Sequence, residues 1–385
     1  MVDIFQDDLK EVREQIDEID RSIIQLLGKR KTLTDTVVKF KSEHQARAFE
    51  PSIEETVLGW RRDYTEKNTN ISSEMVVDIF RLVMYDAYHL ADVTYQRVFK
   101  SESIRNIVIL GNMNSYAGLL KGLFSKTGYD SILVQELDGL SEINFKEVDA
   151  VFITMPLREA VIAVQNQPDF SLNTLLVAFG NLEAKTVDIL GNMHSGPTLG
   201  LQPMFSASSK TLTKEVIFIC HGHLATRYLW LLDQLKMWGL IPVQAAPADY
   251  DRLMLVINSL NLLINMSDAI RLVEQRINVD TLMKSIGPAY RMSLMSLGRH
   301  FTDPKSLNID SVLEAKTKRM FRQYHANVSR LLEMIEGNDR DGLVAEYQRI
   351  CDWFGESAET FDREANRLSK LQPYLRVDGT LTVGD

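Results

Sequence analysis

The sequence predicts a multidomain α + α/β protein, in which helical N-terminal and C-terminal parts flank a doubly wound α/β domain. Residues 9–42 place apolar side chains at spacings of three, four and seven, which is the period of one buried helical stripe. A continuous aliphatic run, rich in β-branched residues, then covers residues 107–110 and ends at Gly111, as expected of a buried parallel strand. Helical periodicity returns from about residue 248 onward.

Composition narrows the classes of function. A chain of 385 residues is long enough for two or three domains, and its net charge of −9 argues against nucleic acid as a partner. We find no apolar run of the ~18 residues that a membrane helix needs, and the acidic residues 1–8 do not resemble a signal peptide. Two distant cysteines, Cys220 and Cys351, indicate a reducing compartment. We therefore expect a cytoplasmic protein that binds neither nucleic acid nor a membrane.

The N-terminal domain is predicted to span residues 1–100 and to contain three helices. The first covers 9–42, the second about 51–66 and the third about 72–97. Because lone helices of this length cannot bury their apolar stripes, the pattern predicts an intertwined helical unit and a homodimer.

The α/β domain is predicted to span residues 101–245. After the strand at 107–110, a helix over 119–127 closes at Gly128, a residue type that favours the left-handed position after a helix. Further buried strands are predicted at 132–134, 151–154, 174–177 and 216–220. Strands and helices that alternate at this spacing are typical of a Rossmann-type doubly wound sheet.

The C-terminal domain is predicted to span residues 246–373 and to be helical, with a tail at 374–385. Its helices are predicted at 248–274, 279–301, 308–336 and 340–372. The only metal candidate in the sequence, His221-Gly222-His223, has no carboxylate cluster beside it, so we expect these histidines to lie at the surface and the protein to hold no metal.

Three cations on the first predicted helix invite a functional interpretation. Arg30 and Lys41 are eleven residues apart, about three helical turns, so both can point to one side; Arg13 lies further toward the N-terminus. Spacing alone is compatible with solvated surface charge. A pocket for a dianion is the alternative, because guanidinium and ammonium groups donate hydrogen bonds to carboxylates.

Several runs resemble the T-protein family, in which a chorismate mutase is fused to a prephenate dehydrogenase. They are Val12-Arg13-Glu14-Gln15-Ile16-Asp17, Leu26-Leu27-Gly28-Lys29-Arg30, Leu199-Gly200-Leu201-Gln202-Pro203-Met204-Phe205 and Asp352-Trp353-Phe354-Gly355. The resemblance covers about residues 8–372 and implies a chorismate-mutase-like domain, a prephenate-dehydrogenase-like domain and a helical dimerisation and substrate domain. It also implies a role in tyrosine biosynthesis.

For the mutase, the resemblance implies four site residues. Arg13 would reach the partner subunit's site, Arg30 would hold a substrate carboxylate, Lys41 would donate to the ether oxygen, and Glu54 would hold the substrate hydroxyl. The rearrangement needs confinement and charge stabilisation rather than covalent chemistry.

Some positions of the mutase pattern are changed. The family's arginine just before Glu54 is Ile53, its serine on the third helix is Ala87, and the Gln or Glu one turn later is Ala91. Losing one such donor costs ~2.7–4 kcal/mol. We therefore expect a weak or repurposed mutase.

The dinucleotide loop that begins at Gly111 also departs from the family. Aligned by the following helix, Asn112, Asn114 and Ala117 occupy the three fingerprint positions, which need small residues. Ala117 is compatible with the fingerprint, but Asn114 places a side chain where the backbone must approach phosphate. The resemblance implies NAD, yet from these residues we expect no cofactor.

The catalytic histidine of the dehydrogenase family corresponds to Gln202. A glutamine amide cannot act as a general base near neutral pH, so we expect the dehydrogenase half to be inactive. Arg291 and Arg299 are eight residues apart on one helical face. By resemblance Arg299 would hold a prephenate carboxylate with Arg291 supporting it; a pair of structural arginines is the alternative.

Three hypotheses follow. The first is a divergent enzyme of aromatic metabolism with weak or altered mutase activity, an isomerase rather than an oxidoreductase. The second is a non-catalytic pseudoenzyme that binds a chorismate- or prephenate-like dianion or a partner enzyme. The third is a functional NAD-dependent prephenate dehydrogenase with a compensated site. We adopt the first.

Overall fold

The structure, a computed structural model, describes residues 2–44, 46, 49–94, 101, 103–180, 182–209, 211–244, 246–302 and 312–375. The chain divides into two compact units, Met1–Tyr250 and Asp251–Asp385. The three predicted domain boundaries remain predictions. Of the predicted tail, residues 376–385 lie outside the described part of the chain, whereas Tyr374 and Leu375 end the last helix.

Three helices open the first unit: α1 (Val2–Glu43), α2 (Pro51–Asn68) and α3 (Ser73–Thr94). The helical N-terminal domain is thereby confirmed. Helix α1 begins seven residues before the predicted start at 9, because the acidic N-terminal residues favour a helix N-terminus and no breaker interrupts them. Pro51 occupies the first turn of α2, where its missing N–H has no helical partner to lose.

A seven-stranded sheet forms the rest of the first unit. Its strands are Asn106–Leu110 (β1), Asp130–Val134 (β2), Ala150–Ile153 (β3), Leu175–Phe179 (β4), Thr198–Pro203 (β5), Val216–His221 (β6) and Ile241–Gln244 (β7). They lie in the order β2-β1-β3-β4-β5-β6-β7, and β6 runs antiparallel to β5 while the other neighbours are parallel. The predicted α/β fold is confirmed, and the five predicted strands correspond to β1–β4 and β6.

Strands β5 and β7 were absent from the prediction, and both contain residues that strands disfavour. Gly200 lies inside β5, where a Cβ atom would come within 3.1 Å of Val187 and 3.2 Å of Leu182, so tight packing requires the glycine. Pro242 lies in β7, which is an edge strand and so tolerates a residue without an N–H donor.

Four helices pack on this sheet: α4 (Tyr116–Thr127), α5 (Leu157–Gln165), α6 (Ala184–Met193) and α7 (Leu229–Met237). Gly128 ends α4 at φ 93°, as predicted. The core between the sheet and the helices centres on Phe124, whose ring centroid lies 4.9 Å from that of Phe152 and 5.1 Å from that of Trp238. We refer to residues 106–244 as the α/β part.

The second unit is helical. The helices from the unit boundary onward are α8 (Pro247–Met254), α9 (Asn261–Glu274), α10 (Val279–Ser285), α11 (Pro288–His300), α12 (Ala315–Glu336), α13 (Arg340–Phe354) and α14 (Ser357–Leu375), with a π-helical turn at Leu255–Leu260. The single helices predicted at 279–301 and 340–372 were wrong. Pro288 drives Ile286 and Gly287 out of the helical conformation, and Gly355 adopts φ 50° and ends α13.

One helical stretch of this region, Ala248–Glu274, is long and apolar enough to cross a bilayer by length and composition alone, with a mean hydropathy of 1.5. Only 6% of that window is buried within the chain. Polar residues such as Asn258 and Asn261 interrupt the apolar run of this stretch, so the sequence did not predict a membrane helix here. A single such helix is weak evidence for a membrane protein, since apolar helices also form the cores and contacts of other proteins.

Candidate functional site

Helices α1, α2 and α3 enclose a cavity of about 370 Å³, which we call the N-terminal cavity. Apolar side chains make most of its wall, among them Leu33, Val37, Val57 and Met84. Its ionisable lining residues are Arg30, Lys41, Glu50, Glu54, Arg61 and Tyr88. The cavity therefore combines a largely apolar wall with a few charged groups, as small-molecule sites do.

Three of the four mutase residues suggested by the sequence meet in this cavity: Arg30 and Lys41 from α1, and Glu54 from α2. Arg13 is exposed on α1 and does not line the cavity as described. It lies seventeen residues before Arg30, which places it about 25 Å away along the same helix. Arg13 can therefore reach such a site only in another copy of the chain.

Lys41 occupies the last turn of α1 and is half-buried. Burial lowers the pKa of its ammonium group from the ordinary value, while the nearby carboxylate of Glu50 acts in the opposite direction. The ammonium group of Lys41 faces the cavity, whose wall partly shields it from bulk water. It is suited to donate a hydrogen bond to an oxygen on which negative charge develops.

Arg61 is a further cation of the cavity, and the sequence analysis missed it. It lies on α2 seven residues after Glu54, two turns along one face. Its guanidinium stacks over Phe80 at 4.3 Å, and its Nη1 donates to the Val57 carbonyl at 2.7 Å. Its Nε is buried and has no hydrogen-bond partner within the described part of the chain. Helical spacing from Glu54 was the signal that could have revealed it.

The electrostatics around Arg61 favour an anion. Burial, and then the positive charge of Arg30, lower the pKa of the Arg61 guanidinium. Two like charges that face the same small cavity repel each other, and a negatively charged ligand placed between them would relieve that repulsion.

Glu54 is held by two donors from different parts of the chain. The Tyr88 hydroxyl on α3 donates to Glu54 Oε2 at 2.6 Å, and Lys214 Nζ from the α/β part lies 2.5 Å from Glu54 Oε1. Burial, followed by the hydrogen bond to Glu54, raises the pKa of Tyr88, so this hydroxyl keeps its proton and remains a donor. Neither Tyr88 nor Lys214 was predicted from the sequence, because no local motif marks either residue.

Two of the three changed mutase positions lie in the wall. Ile53 and Ala87 both line the cavity and replace polar groups of the family pattern with apolar ones. The side chain of Ala91 lies outside the described residues. The cavity thus keeps three cations and two carboxylates but offers fewer donors than the family pattern.

The loop after β1 begins at Gly111, whose φ of 149° and surroundings require a glycine. A Cβ atom there would lie 1.9 Å from Thr154 Oγ1. The amides that follow are engaged within the protein: Asn114 N donates to Asn112 Oδ1 at 2.8 Å, and Ala117 N donates to the Ser115 hydroxyl at 3.3 Å. These are the N–H groups that a dinucleotide phosphate uses at such a helix N-terminus.

Gln202 lies on β5 and its amide serves the local backbone. Gln202 Oε1 accepts from the Leu182 N–H at 3.0 Å, and Nε2 donates to the Pro203 carbonyl at 3.1 Å. The amide oxygen therefore holds the segment after β4, and the amide nitrogen bonds to the neighbouring residue of β5. Neither end can take a proton from a substrate hydroxyl near neutral pH.

Arg291 and Arg299 both lie on α11 in the second unit. Arg291 Nη1 donates to the Met283 carbonyl on α10 at 3.4 Å, which joins two neighbouring helices. This contact between helices is of the kind expected if Arg291 is a structural arginine, which is the alternative to substrate binding for Arg291 and Arg299. Among the residues that the structure describes, no group of three or more His, Cys, Asp or Glu side chains is arranged to hold a metal ion.

Comparison with known proteins agrees with this architecture. The family model for chorismate mutase type II matches residues 12–91. The T-protein of Haemophilus influenzae is 29% identical over 367 residues, covering 94% of this chain and 97% of the relative. The T-protein of Enterobacter agglomerans is 26% identical over 365 residues, with the same shares covered.

Among solved structures, the prephenate dehydrogenase of Aquifex aeolicus, in complex with hydroxyphenyl propionate and NAD+, matches with a TM-score of 0.50 and 15% identity. The match covers 65% of this chain and 97% of that one, and it concerns the fold. With a chorismate mutase model that matches its N-terminal residues 12–91 and similarity to T-proteins over nearly its whole length, the chain is T-protein-like.

Proposed function

We propose that the N-terminal cavity binds a chorismate-like dianion and rearranges it to prephenate, with weak or altered activity. The observation that carries this proposal is the convergence of Arg30, Lys41 and Arg61 on one cavity of about 370 Å³ that also contains Glu54. The three cations outnumber the two carboxylates that line the cavity, Glu50 and Glu54, and Glu54 is already paired with Lys214, so this largely apolar cavity favours an anionic ligand. The chorismate mutase type II match over residues 12–91 supports the same assignment.

In this proposal four of the charged lining residues have one role each. Arg30 and Arg61 hold the carboxylates, Lys41 donates to the ether oxygen as the carbon–oxygen bond breaks, and Glu54 accepts from the substrate hydroxyl. The cavity selects the compact conformer that reacts, so no covalent intermediate is needed. Apolar Ile53 and Ala87 leave the developing charge with fewer donors, which is the reason for expecting weak turnover.

We propose further that the α/β part performs no dehydrogenation. NAD+ is bound by the Aquifex relative of the same fold, and the corresponding loop here starts at Gly111. The residues after Gly111 do not fit a dinucleotide well: Asn114 adds a side chain, and the amides of Asn114 and Ala117 already have acceptors. Gln202 supplies no base, so we assign no hydride transfer to this part.

We also propose that the protein is a homodimer that pairs through α1. The apolar stripe of this helix is exposed, with half or more of Val12, Ile16 and Ile19 open to solvent and Ile23 at 49%. A second copy would bury the stripe and bring Arg13 into the partner's cavity. Sedimentation should show a dimer for the parent protein and a monomer for Ile23→Glu; an unchanged dimer would refute pairing through α1.

The test of the cavity is chorismate turnover, with calorimetric binding of a chorismate analogue measured on the same samples. Arg30→Ala and Lys41→Ala should abolish binding, whereas Lys39→Ala, an exposed lysine of the same helix, should bind as the parent does. Unchanged binding in both Arg30→Ala and Lys41→Ala would refute the claim that the N-terminal cavity binds the analogue. Binding without turnover in the parent protein would favour the non-catalytic alternative.

The dehydrogenase alternative is tested by titrating NAD and NADP into the same preparation. We expect no binding. Micromolar binding would mean that the loop after Gly111 gives up its internal hydrogen bonds to bind the cofactor. The α/β part would then be better explained as a functional NAD-dependent prephenate dehydrogenase.

A further inference from the structure

We propose that Lys214, which belongs to the α/β part, is a positioning residue of the N-terminal cavity: it fixes the Glu54 carboxylate and offsets its charge. The inference rests on the proposed function of that cavity. Lys214 and Glu54 are 160 positions apart in sequence, yet their charged groups lie 2.5 Å from each other. The two parts of the chain are thus joined at a residue of the candidate site.

The backbone of Lys214 is set by the α/β fold. Lys214 lies just before β6 in the left-handed conformation, with φ 71°, which non-glycine residues rarely adopt. Its N–H donates to the carbonyl of Gly239 at 2.9 Å. Gly239 itself packs so closely on Thr213 that a Cβ atom would lie 2.9 Å from the threonine hydroxyl. The turn therefore has little freedom, and the α/β fold sets the point from which the lysine side chain leaves the backbone.

The ammonium group of Lys214 that contacts Glu54 also lies near two aromatic rings. Its Nζ lies 5.0 Å from the ring centroid of Phe49 and 5.5 Å from that of Tyr88, which are themselves in edge-to-face contact at 5.8 Å. An ammonium group over aromatic faces is attracted to them as well as to the carboxylate. These contacts favour the position of the ammonium group beside Glu54, while 40% of the lysine side chain is exposed.

Together Lys214 and Tyr88 immobilise Glu54. Each carboxylate oxygen receives one donor, Lys214 at Oε1 and the Tyr88 hydroxyl at Oε2, and the side chain of Glu54 is only 13% exposed. A carboxylate oxygen can accept more than one hydrogen bond, so the remaining lone pairs stay open to the cavity. A carboxylate that is already oriented loses less conformational freedom when the ligand binds.

Charge gives a second reason for Lys214. A carboxylate inside a site for a dianion repels the ligand, and the penalty is larger where water is excluded. Lys214 places a compensating positive charge against Glu54 from outside the residues that line the cavity. It acts through Glu54 rather than on the ligand, which is why we describe it as a positioning residue.

The experiment uses the full-length protein with three variants. Lys214→Met keeps the aliphatic stem but removes the charge, and Lys214→Arg keeps the charge. Lys236→Met is the matched control, because Lys236 is a lysine of the same α/β part in a 3.5 Å surface pair with Asp233. Chorismate kcat and KM and the Kd of a chorismate analogue are measured for each.

We expect Lys214→Met to lower kcat/KM and weaken analogue binding by about tenfold to a hundredfold, the usual cost of removing a partner that orients a residue of a site. Lys214→Arg should recover most of that loss, and Lys236→Met should match the parent protein. If Lys214→Met matches Lys236→Met in both kcat/KM and Kd and only its unfolding temperature falls, the lysine is a structural tether and the proposal is overturned. Equal impairment in Lys214→Met and Lys214→Arg would likewise overturn it.

Failure of the cavity's function would be seen separately, in the parent protein. If the parent neither turns over chorismate nor binds the analogue, the proposed function fails. A double-mutant cycle of Lys214→Met with Glu54→Gln, read by thermal unfolding, then still tests the contact. Additive effects would refute the contact itself, and coupled effects without ligand binding would leave only a tether, so both results overturn the positioning role.

Discussion

Replacing Arg61 by methionine tests whether the N-terminal cavity is built for an anion. The change keeps an unbranched apolar stem against the ring of Phe80, which the guanidinium covers at 4.3 Å, and removes the charge. It also removes a group whose Nε is buried without a partner in the described chain and which faces the like charge of Arg30. Arg61→Met should therefore weaken ligand binding far more than it weakens the fold.

The magnitudes follow from these contacts. A hydrogen bond to a charged group contributes about 1.5–3 kcal/mol, so the Kd of a chorismate-like dianion should rise about 10-fold to 150-fold. Loss of the cation–π contact with Phe80 costs the fold about 0.5–1 kcal/mol, and relief of repulsion from Arg30 offsets part of it. The unfolding temperature should fall by no more than about 4 °C.

The assay is calorimetric titration of the full-length protein with a chorismate analogue, beside thermal unfolding of the same samples. Arg62→Met is the matched control: Arg62 is the next residue on α2, carries the same charge and is exposed. It should bind the analogue as the parent protein does. Raising the salt concentration should weaken binding to the parent protein more than to Arg61→Met, because the variant has one fewer cation to screen.

Two results would refute this reasoning. If Arg61→Met and Arg62→Met bind the analogue equally well, Arg61 does not face the ligand. If Arg61→Met unfolds at a much lower temperature and loses binding in proportion, the arginine holds α2 against Phe80 and its charge has no separate role.

Three further predictions concern single residues. Burial lowers the pKa of Lys41, and turnover needs its protonated form. In a pH–rate profile, turnover should therefore fall as pH rises, with an apparent pKa below the ordinary 10.5. A rate that stays constant as pH rises to 10.5 would exclude Lys41 as the donor. Gly111→Ala should lower stability by about 1–3 kcal/mol in thermal unfolding, because the new Cβ atom would lie 1.9 Å from Thr154 Oγ1. Gly122→Ala, where a Cβ atom would enter open space on a helix, should be neutral or stabilising. Equal effects of the two substitutions would contradict this packing. Gln202→His alone should give no NAD-dependent prephenate oxidation above the parent level in a spectrophotometric assay, and a strong gain would show that the loop accepts the cofactor.

Short-range signals in the sequence predicted most of the fold. The run at 107–110 became β1 because β-branched residues buried on both faces suit a central parallel strand. Strands β5 and β7 were missed because they depend on tertiary context: Gly200 is required by contacts from Val187 and Leu182, and Pro242 is tolerated only at an edge. Pro288 and Gly355 are residue types that break helices, but helical periodicity continues on both sides of each, so single helices were predicted across them.

The candidate site shows the same limit. Arg30 and Lys41 could be paired from their spacing, because one helix carries both and its geometry is known. Arg61 could have been found in the same way, but it follows an apolar stretch and precedes another arginine, as many surface charges do. Lys214 could not be found, because its position depends on a left-handed turn in a sheet that begins far along the chain.

A contribution of Lys214 to the cavity would also give the α/β part a function that needs no dinucleotide. Holding Lys214 against Glu54 requires a rigid sheet and the packed turn at Gly239, but it makes no demand on the loop at Asn114 or on Gln202. The sheet could then remain well packed while its dehydrogenase residues change. Changes at Asn114 should accordingly leave chorismate turnover as it is, whereas loss of the Lys214 charge should reduce it. An α/β part that acted only as a disused dehydrogenase would show no such difference.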